Sequence, residues 1–247
     1  MSAAMARLSV NVNKVATLRN ARGGQVPDLI EAVRVVLAAG CTGITVHPRA
    51  DERHIRRGDV TAIAAELEPL RAAVEFNVEG DPRPDLMDLV CRLRPHQCTL
   101  VPVHPGEITS QAGWSASTDR GELGATVRRL QGHGVRVSVF VDPEEAPIRW
   151  AAAIGADRVE LYTEPFARAF AAGDGAASFA TYAAAAELAH SLGLGINAGH
   201  DLDLENLPLF RGLPHLDEVS IGHALISRAL FVGLDAVVRE YLAALAG

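Results

Sequence analysis

Lysine is almost absent from this chain. Lys14 is the only one, and every other member of the 23 basic residues is an arginine. Positive charge as a whole is in deficit, with a formal net charge of −7. That balance excludes a general nucleic-acid binder, because a footprint on a phosphate backbone requires a basic surface. Arginines acting locally can still hold a small anion through their planar donor fork. Cysteine is scarce: Cys41, Cys91 and Cys98 are odd in number and form no C-x-x-C pair. This excludes a disulfide framework and a zinc ribbon and points to the reducing cytoplasm. No apolar run approaches the roughly 20 residues that cross a bilayer, and the first ten residues lack a signal-peptide pattern. The expectation is a cytoplasmic protein with neither membrane nor nucleic acid as partner.

Two motifs are also lacking. No G-x-G-x-x-G follows the first β-type run, which argues against an open, doubly wound dinucleotide-binding sheet. No H-x-H closes that run either, where hydrolytic barrels often carry metal ligands. Asn11-Val12-Asn13 stands there instead, and asparagine is a poor substitute. His47, Glu79 and His200 are joined by no second carboxylate of ligand type, so no metal is expected.

What is there is a regular alternation. Apolar fraction (49%) and charged fraction (21%) are those of a globular chain with a full core. Short β-type runs occur at 8–12, 43–47, 74–78, 98–103, 135–141, 158–162, 194–198 and 218–221. Helical segments fall between them: from Pro27 to Gly40, then 61–70, 85–93, 119–132, from Asp142-Pro143 to 154, 182–192 and 204–210. A short helix at 224–231 and a final one at 234–245 follow the last strand. Residues 13–24, rich in Asn, Thr, Arg and Gly, read as a long polar loop. Strands alternating with helices imply a parallel sheet. Eight such units over 247 residues imply a single-domain (β/α)8 barrel covering residues 1–247, α/β in class, with a short extra helix after strand eight.

In such a barrel the carboxyl ends of the strands meet at one mouth. Asn11, Asn13, His47, Glu79, Thr109, Glu160, His200 and His223 all fall there. Any one of them alone reads as a satisfied polar residue. A repeated placement of ionisable groups where strands stop makes a poor core and a good active site. Glu79, in a partly dry mouth, is a candidate general base. His47 and His200 are candidates for a base and an acid on opposite sides of one substrate. Glu160 is placed to stabilise a developing cation. Arg22, Arg49 and Arg53 are candidate phosphate ligands, whereas Arg56 and Arg57 read as a solvated face. Gly222 and His223 offer backbone N–H groups to a phosphate at the start of the helix after strand eight. Lys14 admits two readings, a phosphate or sugar contact or a Schiff-base nucleophile.

The most specific stretches are Asn11-Val12-Asn13-Lys14-Val15-Ala16-Thr17-Leu18-Arg19-Asn20-Ala21-Arg22-Gly23, Gly43-Ile44-Thr45-Val46-His47-Pro48-Arg49 and Asp51-Glu52-Arg53-His54-Ile55. Asn197-Ala198-Gly199-His200 and Ile221-Gly222-His223-Ala224 join them. Together they resemble the pyridoxine 5′-phosphate synthase family of the deoxyxylulose-dependent vitamin B6 pathway, over nearly the whole chain. The resemblance implies a (β/α)8 barrel that condenses 1-deoxy-D-xylulose 5-phosphate with 3-amino-2-oxopropyl phosphate. Imine formation, loss of water and phosphate, and ring closure give the pyridine. Because a substrate supplies the amine, it implies no enzyme lysine, metal or organic cofactor. By the same resemblance His47 and Glu79 are bases, His200 is the proton donor and Glu160 stabilises the transition state. Asn11, Arg22, Gly222 and His223 would hold the aminoketone phosphate. Arg49, His54 and Thr109 would hold the deoxyxylulose phosphate, and Asp201 would meet substrate through its backbone N–H. The family is homo-oligomeric, commonly octameric. This chain departs from the better-known pattern in carrying Asn13-Lys14 for Asp-His and Asp201 for glycine. A Schiff-base aldolase or lyase using Lys14 and a non-catalytic phosphosugar-binding barrel are the alternatives.

Overall fold

The computed structural model describes residues 5–103 and 110–247. Eight parallel strands close into a barrel in sequence order. They are β1 (Arg7–Asn11), β2 (Gly43–Val46), β3 (Glu75–Gly80), β4 (Gln97–Leu100), β5 (Arg136–Val141), β6 (Arg158–Tyr162), β7 (Gly195–Gly199) and β8 (Leu216–Ile221). Closure pairs Arg7–Val10 of β1 with Glu218–Ile221 of β8 and leaves the sheet without an edge. The helices are α1 (Asn13–Asn20), α2 (Leu29–Ala38), α3 (Arg57–Leu67), α4 (Pro84–Leu93), α5 (Arg120–Gly132) and α6 (Glu145–Ala153). They continue with α7 (Glu164–Ala171), α8 (Gly175–Ser191), α9 (Leu207–Phe210), α10 (His223–Val232) and α11 (Leu234–Ala246). Among the described residues no helix is long and apolar enough to cross a membrane.

The apolar core is a shell between barrel and helices. Val10, Ile44, Val46, Phe76, Val78, Val139, Leu161, Ile196 and Val219 point out of the barrel and bury against Val33, Val36, Ile63, Leu86, Val127, Ile148 and Val238 on the helices. The inside of the barrel is polar, because successive strand residues face opposite sides. Ser9 and Thr45 share a hydroxyl hydrogen bond of 2.7 Å, Thr99 donates to Asn77 at 3.1 Å, and Asn77 donates to Thr45 at 3.4 Å. Below this layer, at the amino-terminal end of the strands, buried Glu75 meets Arg7 at 2.6 Å, Arg136 in a short contact, and Arg158 at 3.9 Å. Most barrels fill this volume with branched apolar side chains. Here hydrogen-bonded polar side chains do so, with Ser138 Oγ, Asn197 Nδ2 and Glu218 Oε2 buried without a hydrogen-bond partner among the described residues.

Four local expectations need correction. Residues 13–20, expected within a loop, form α1. Its composition is polar, but Val15, Ala16 and Arg19 recur on one helical face and are buried against neighbouring helices. Residues after Pro165, left without an element, form α7, with the proline in its first turn and Phe166 buried. The helix expected at 182–192 begins at Gly175, because an alanine-rich stretch carries no apolar periodicity to mark its start. Pro27 precedes α2 rather than opening it. Asp28 is the cap, accepting from the N–H groups of Ile30 and Glu31 at 2.8 and 2.9 Å.

Candidate active site

A cavity of about 510 Å³ opens at the carboxyl end of the barrel. Its lining includes Asn11, His47, Arg49, His54, Glu79, Glu160, His200, Asp201, Gly222 and His223. Strand geometry explains the convergence. Glu75, Asn77 and Glu79 alternate inward along β3, so the third inward position of that strand reaches the mouth as a carboxylate. Asn11 closes β1 and donates from Nδ2 to Glu79 Oε2 at 3.4 Å. His47 follows β2, with Nδ1 at 3.8 Å from the same oxygen. Its backbone N–H is held by Asn13 Oδ1 at 2.9 Å, so the first residue of α1 fixes where β2 ends.

Glu160 comes from the middle of β6. Beside its carboxylate, on the neighbouring strand, stands Gly199, the last residue of β7. A Cβ there would lie 2.5 Å from Glu160 Oε1, so the glycine makes the room that Glu160 occupies. The Glu160 Oε2 and His47 Nε2 atoms are buried without a hydrogen-bond partner among the described residues. Two buried polar atoms at the floor of one cavity are positions that a bound molecule satisfies.

The charge states differ from the free amino acids. Burial first, then the positive charges of His54, Arg49 and Arg83, lower the His47 pKa to about 3. Burial and the nearby Lys14 and Arg49 lower that of His54 to about 4. Its Nδ1 accepts from the Ile55 N–H at 2.9 Å, which leaves the ring proton on Nε2. Burial, with the like charges of Glu160 and Glu218, pushes the Glu79 carboxyl well above the usual range, against a hydrogen bond from Ser220. Burial raises Glu160 to about 7, opposed by a hydrogen bond from Thr99 and by His200. At neutral pH His47 is therefore an unprotonated base, and the His47–Glu79 contact is not an ion pair. Burial thus favours the neutral form of Glu79, and a positive charge beside it would favour the ionised form.

Two walls suit anions. On one side Arg49 and His54 line the cavity. The loop carrying them is tied to α1 and α3. Buried Arg19 donates to both Asp59 oxygens at 2.7 and 2.8 Å and to the His54 carbonyl at 3.3 Å, while Asn20 donates to that carbonyl at 2.8 Å. On the other side α10 begins at His223 with Gly222 as its cap and no side chain on its first N–H groups. Those donors and the helix dipole face the cavity.

Most sequence-expected residues therefore line one cavity, and among the described ones Arg22 does not join them. Arg22 lies exposed in the turn after α1, away from the lining. Thr109 lies outside the described residues. Lys14 lines the mouth at an exposed position, the setting of a phosphate contact rather than of the desolvated lysine that imine chemistry requires. Sequence reasoning missed Ser220 and Phe140 in the lining and Arg19 behind it. Ser220 was findable as the inward residue two before Gly222. Arg19 was findable only once Val15, Ala16 and Arg19 are seen as one helical face.

Comparison with known proteins shows the family. A family model described as "Pyridoxal phosphate biosynthesis protein PdxJ" matches residues 8–247. The chain belongs to this family. The chain is 53% identical over 238 residues to the pyridoxine 5′-phosphate synthase of Bacteroides fragilis, covering 96% of this chain and 98% of that one. It is 50% identical over 249 residues to the enzyme of that name from Xanthomonas oryzae pv. oryzae, covering 98% and 97%. Among solved structures, 3-hexulose-6-phosphate synthase matches with a TM-score of 0.61 at 15% identity, covering 96% of this chain and 99% of that one. Phosphoribosyl anthranilate isomerase from Thermotoga maritima matches with a TM-score of 0.61 at 11% identity, covering 98% and 100%. These two likenesses speak for the barrel alone.

Proposed function

We propose that this family member is a pyridoxine 5′-phosphate synthase. It condenses 1-deoxy-D-xylulose 5-phosphate with 3-amino-2-oxopropyl phosphate, releasing phosphate and water. The observation that carries the reading is one cavity with two anion-suited walls and four proton-handling groups, His47, Glu79, Glu160 and His200, between them. Two phosphorylated ketones need two anion sites. Their condensation needs proton transfers, and the amine comes from a substrate.

The aminoketone phosphate sits at the α10 N-terminus with Asn11, Gly222 and His223. Its ammonium then approaches Glu79, and that positive charge favours the ionised carboxylate, whose proton passes to solvent. The Glu79 carboxylate takes a proton from the ammonium and so frees the amine to attack. The deoxyxylulose phosphate sits against Arg49 and His54, with its ketone within reach of the amine. His47, unprotonated at neutral pH, takes the proton of the adding amine or of the carbon beside the imine. His200 protonates the departing oxygen, and Glu160 stabilises the cationic iminium that develops. The assay is product formation from both substrates without added metal, with Glu79→Gln and His200→Ala as controls. Retained turnover in both variants counts against the assignment.

We also propose a homo-oligomer. Leu230, Phe231 and Val232 at the end of α10 are 69%, 89% and 40% exposed. Light scattering at micromolar concentration tests this, and a monomeric mass contradicts it.

A further inference from the structure

The turn that follows β7 is unusual. His200 and Asp201 both have positive φ, 88° and 62°, a conformation that non-glycine residues adopt rarely and at a cost. Buried neighbours hold it in place. Thr163 Oγ1 contacts the carbonyl oxygens of Gly199 and His200, donating to Gly199 at 2.7 Å. Asn206 Nδ2 donates to the Asp201 carbonyl at 3.1 Å. Side chains of adjacent residues in extended or helical backbone diverge. Here the double left-handed turn folds the Asp201 carboxylate back onto its neighbour, with Oδ2 at 2.7 Å from His200 Nδ1.

We propose that Asp201 is the positioning residue of His200. Its carboxylate accepts the Nδ1 proton, sets the ring so that exchange with substrate runs through Nε2, and keeps the imidazolium charged until the proton is delivered. The inference rests on the reading of His200 as proton donor and adds the group that makes it one. It assigns to the Asp201 side chain a role that the expected backbone contact with substrate does not include. It also explains how a carboxylate is tolerated beside phosphate. Engaged by an imidazolium, it adds no net charge to the mouth. Among the described residues, the other groups that face the pair include the Tyr162 ring, edge-on at 5.1 Å from the imidazole, Glu160 from β6, His223 from α10 and Lys14 from α1. The carboxyl of Asp201 lies below its usual range, first because of its hydrogen bond with His200. This is the carboxylate–imidazole arrangement that fixes tautomer and charge in acid–base catalysis generally.

The test compares Asp201→Asn and Asp201→Gly with the unaltered protein. Nitrogen-15 NMR of the histidine rings and pH profiles of kcat and KM are the readouts. In both variants kcat falls roughly tenfold or more, within the ~10²–10⁴ that a general acid supplies, while KM moves little. The pH profile of kcat changes shape, a response that a merely structural role would not produce. The nitrogen-15 shifts of the His200 ring change in parallel, because its Nδ1–H loses its carboxylate partner. Asp201→Gly is at least as stable as the original to heat, since glycine adopts a φ of 62° freely. A merely structural role predicts the opposite pairing. Unchanged nitrogen-15 shifts of the His200 ring overturn the dyad, and so does a rise in KM alone. Changed ring shifts with full turnover in His200→Ala show the dyad to be real but overturn its catalytic role together with the donor assignment.

Discussion

Replacing Gly199 by alanine tests how tightly the cavity floor is built. The added Cβ would lie 2.5 Å from Glu160 Oε1 and 3.3 Å from the Ser220 carbonyl oxygen. Ordinary carbon–oxygen contact begins near 3.4 Å, so the carboxylate must retreat by about 0.9 Å. The end of a glutamate side chain can yield by that much. The stability cost is therefore at the low end of overpacking, about 1 kcal/mol. Catalysis is less forgiving, because an ångström of misplacement at a reacting group costs about a hundredfold in rate. The expected outcome is a kcat loss of about two orders of magnitude, a small change in KM, and a thermal midpoint lowered by only a few degrees. The assay is steady-state pyridoxine 5′-phosphate formation beside a thermal melt. A Gly199→Ala protein with unaltered kcat would show that the position of Glu160 is not tied to the reaction.

Three further outcomes follow from the same contacts. Arg19→Ala breaks a buried two-pronged pair with Asp59, with side chains only 8% and 15% exposed. It should lower the unfolding free energy by ~3 kcal/mol, read as a lower urea midpoint at constant slope. Glu160 has a folded pKa of about 7 against 4.5 for the free group. Between those values the native state holds more protons than the unfolded one, so stability falls as pH rises through that window, by roughly 3 kcal/mol for this group. Glu160→Gln should therefore remove that loss, becoming more stable than the original at pH 8 while losing activity, as denaturant melts at pH 5 and pH 8 would show. Conversely, His54 has a pKa lowered to about 4 from 6.5. Its contribution to stability is complete above 6.5 and is lost as pH falls toward 4, so His54→Asn should flatten the acid limb of the stability profile.

The barrel was legible because glycine and proline punctuate eight β-type runs at steady intervals, and the mouth was legible because ionisable residues cluster where those runs stop. Residues 13–20 were not, because their helix is held by burial of Val15, Ala16 and Arg19 rather than by an apolar stripe. The polar interior was only half visible. Glu75, Asn77 and Glu79 alternate in plain sight, yet the partners that let them sit inside come from distant strands. Arg136 and Arg158 reach Glu75 only through barrel closure and register. The Asp201 contact with His200 was hidden for another reason. It depends on two consecutive positive φ angles, and non-glycine residues give no local signal of those. Arg22 illustrates the reverse case, a residue singled out by its motif that the fold leaves exposed beyond the lining.

The most direct test of the account is to incubate the purified protein with both ketone phosphates and a chelator and to follow pyridoxine 5′-phosphate by absorbance and mass. Product is expected from the original chain and none from Glu79→Gln or His200→Ala. Binding of each ketone without product, or turnover that survives both substitutions, would contradict it.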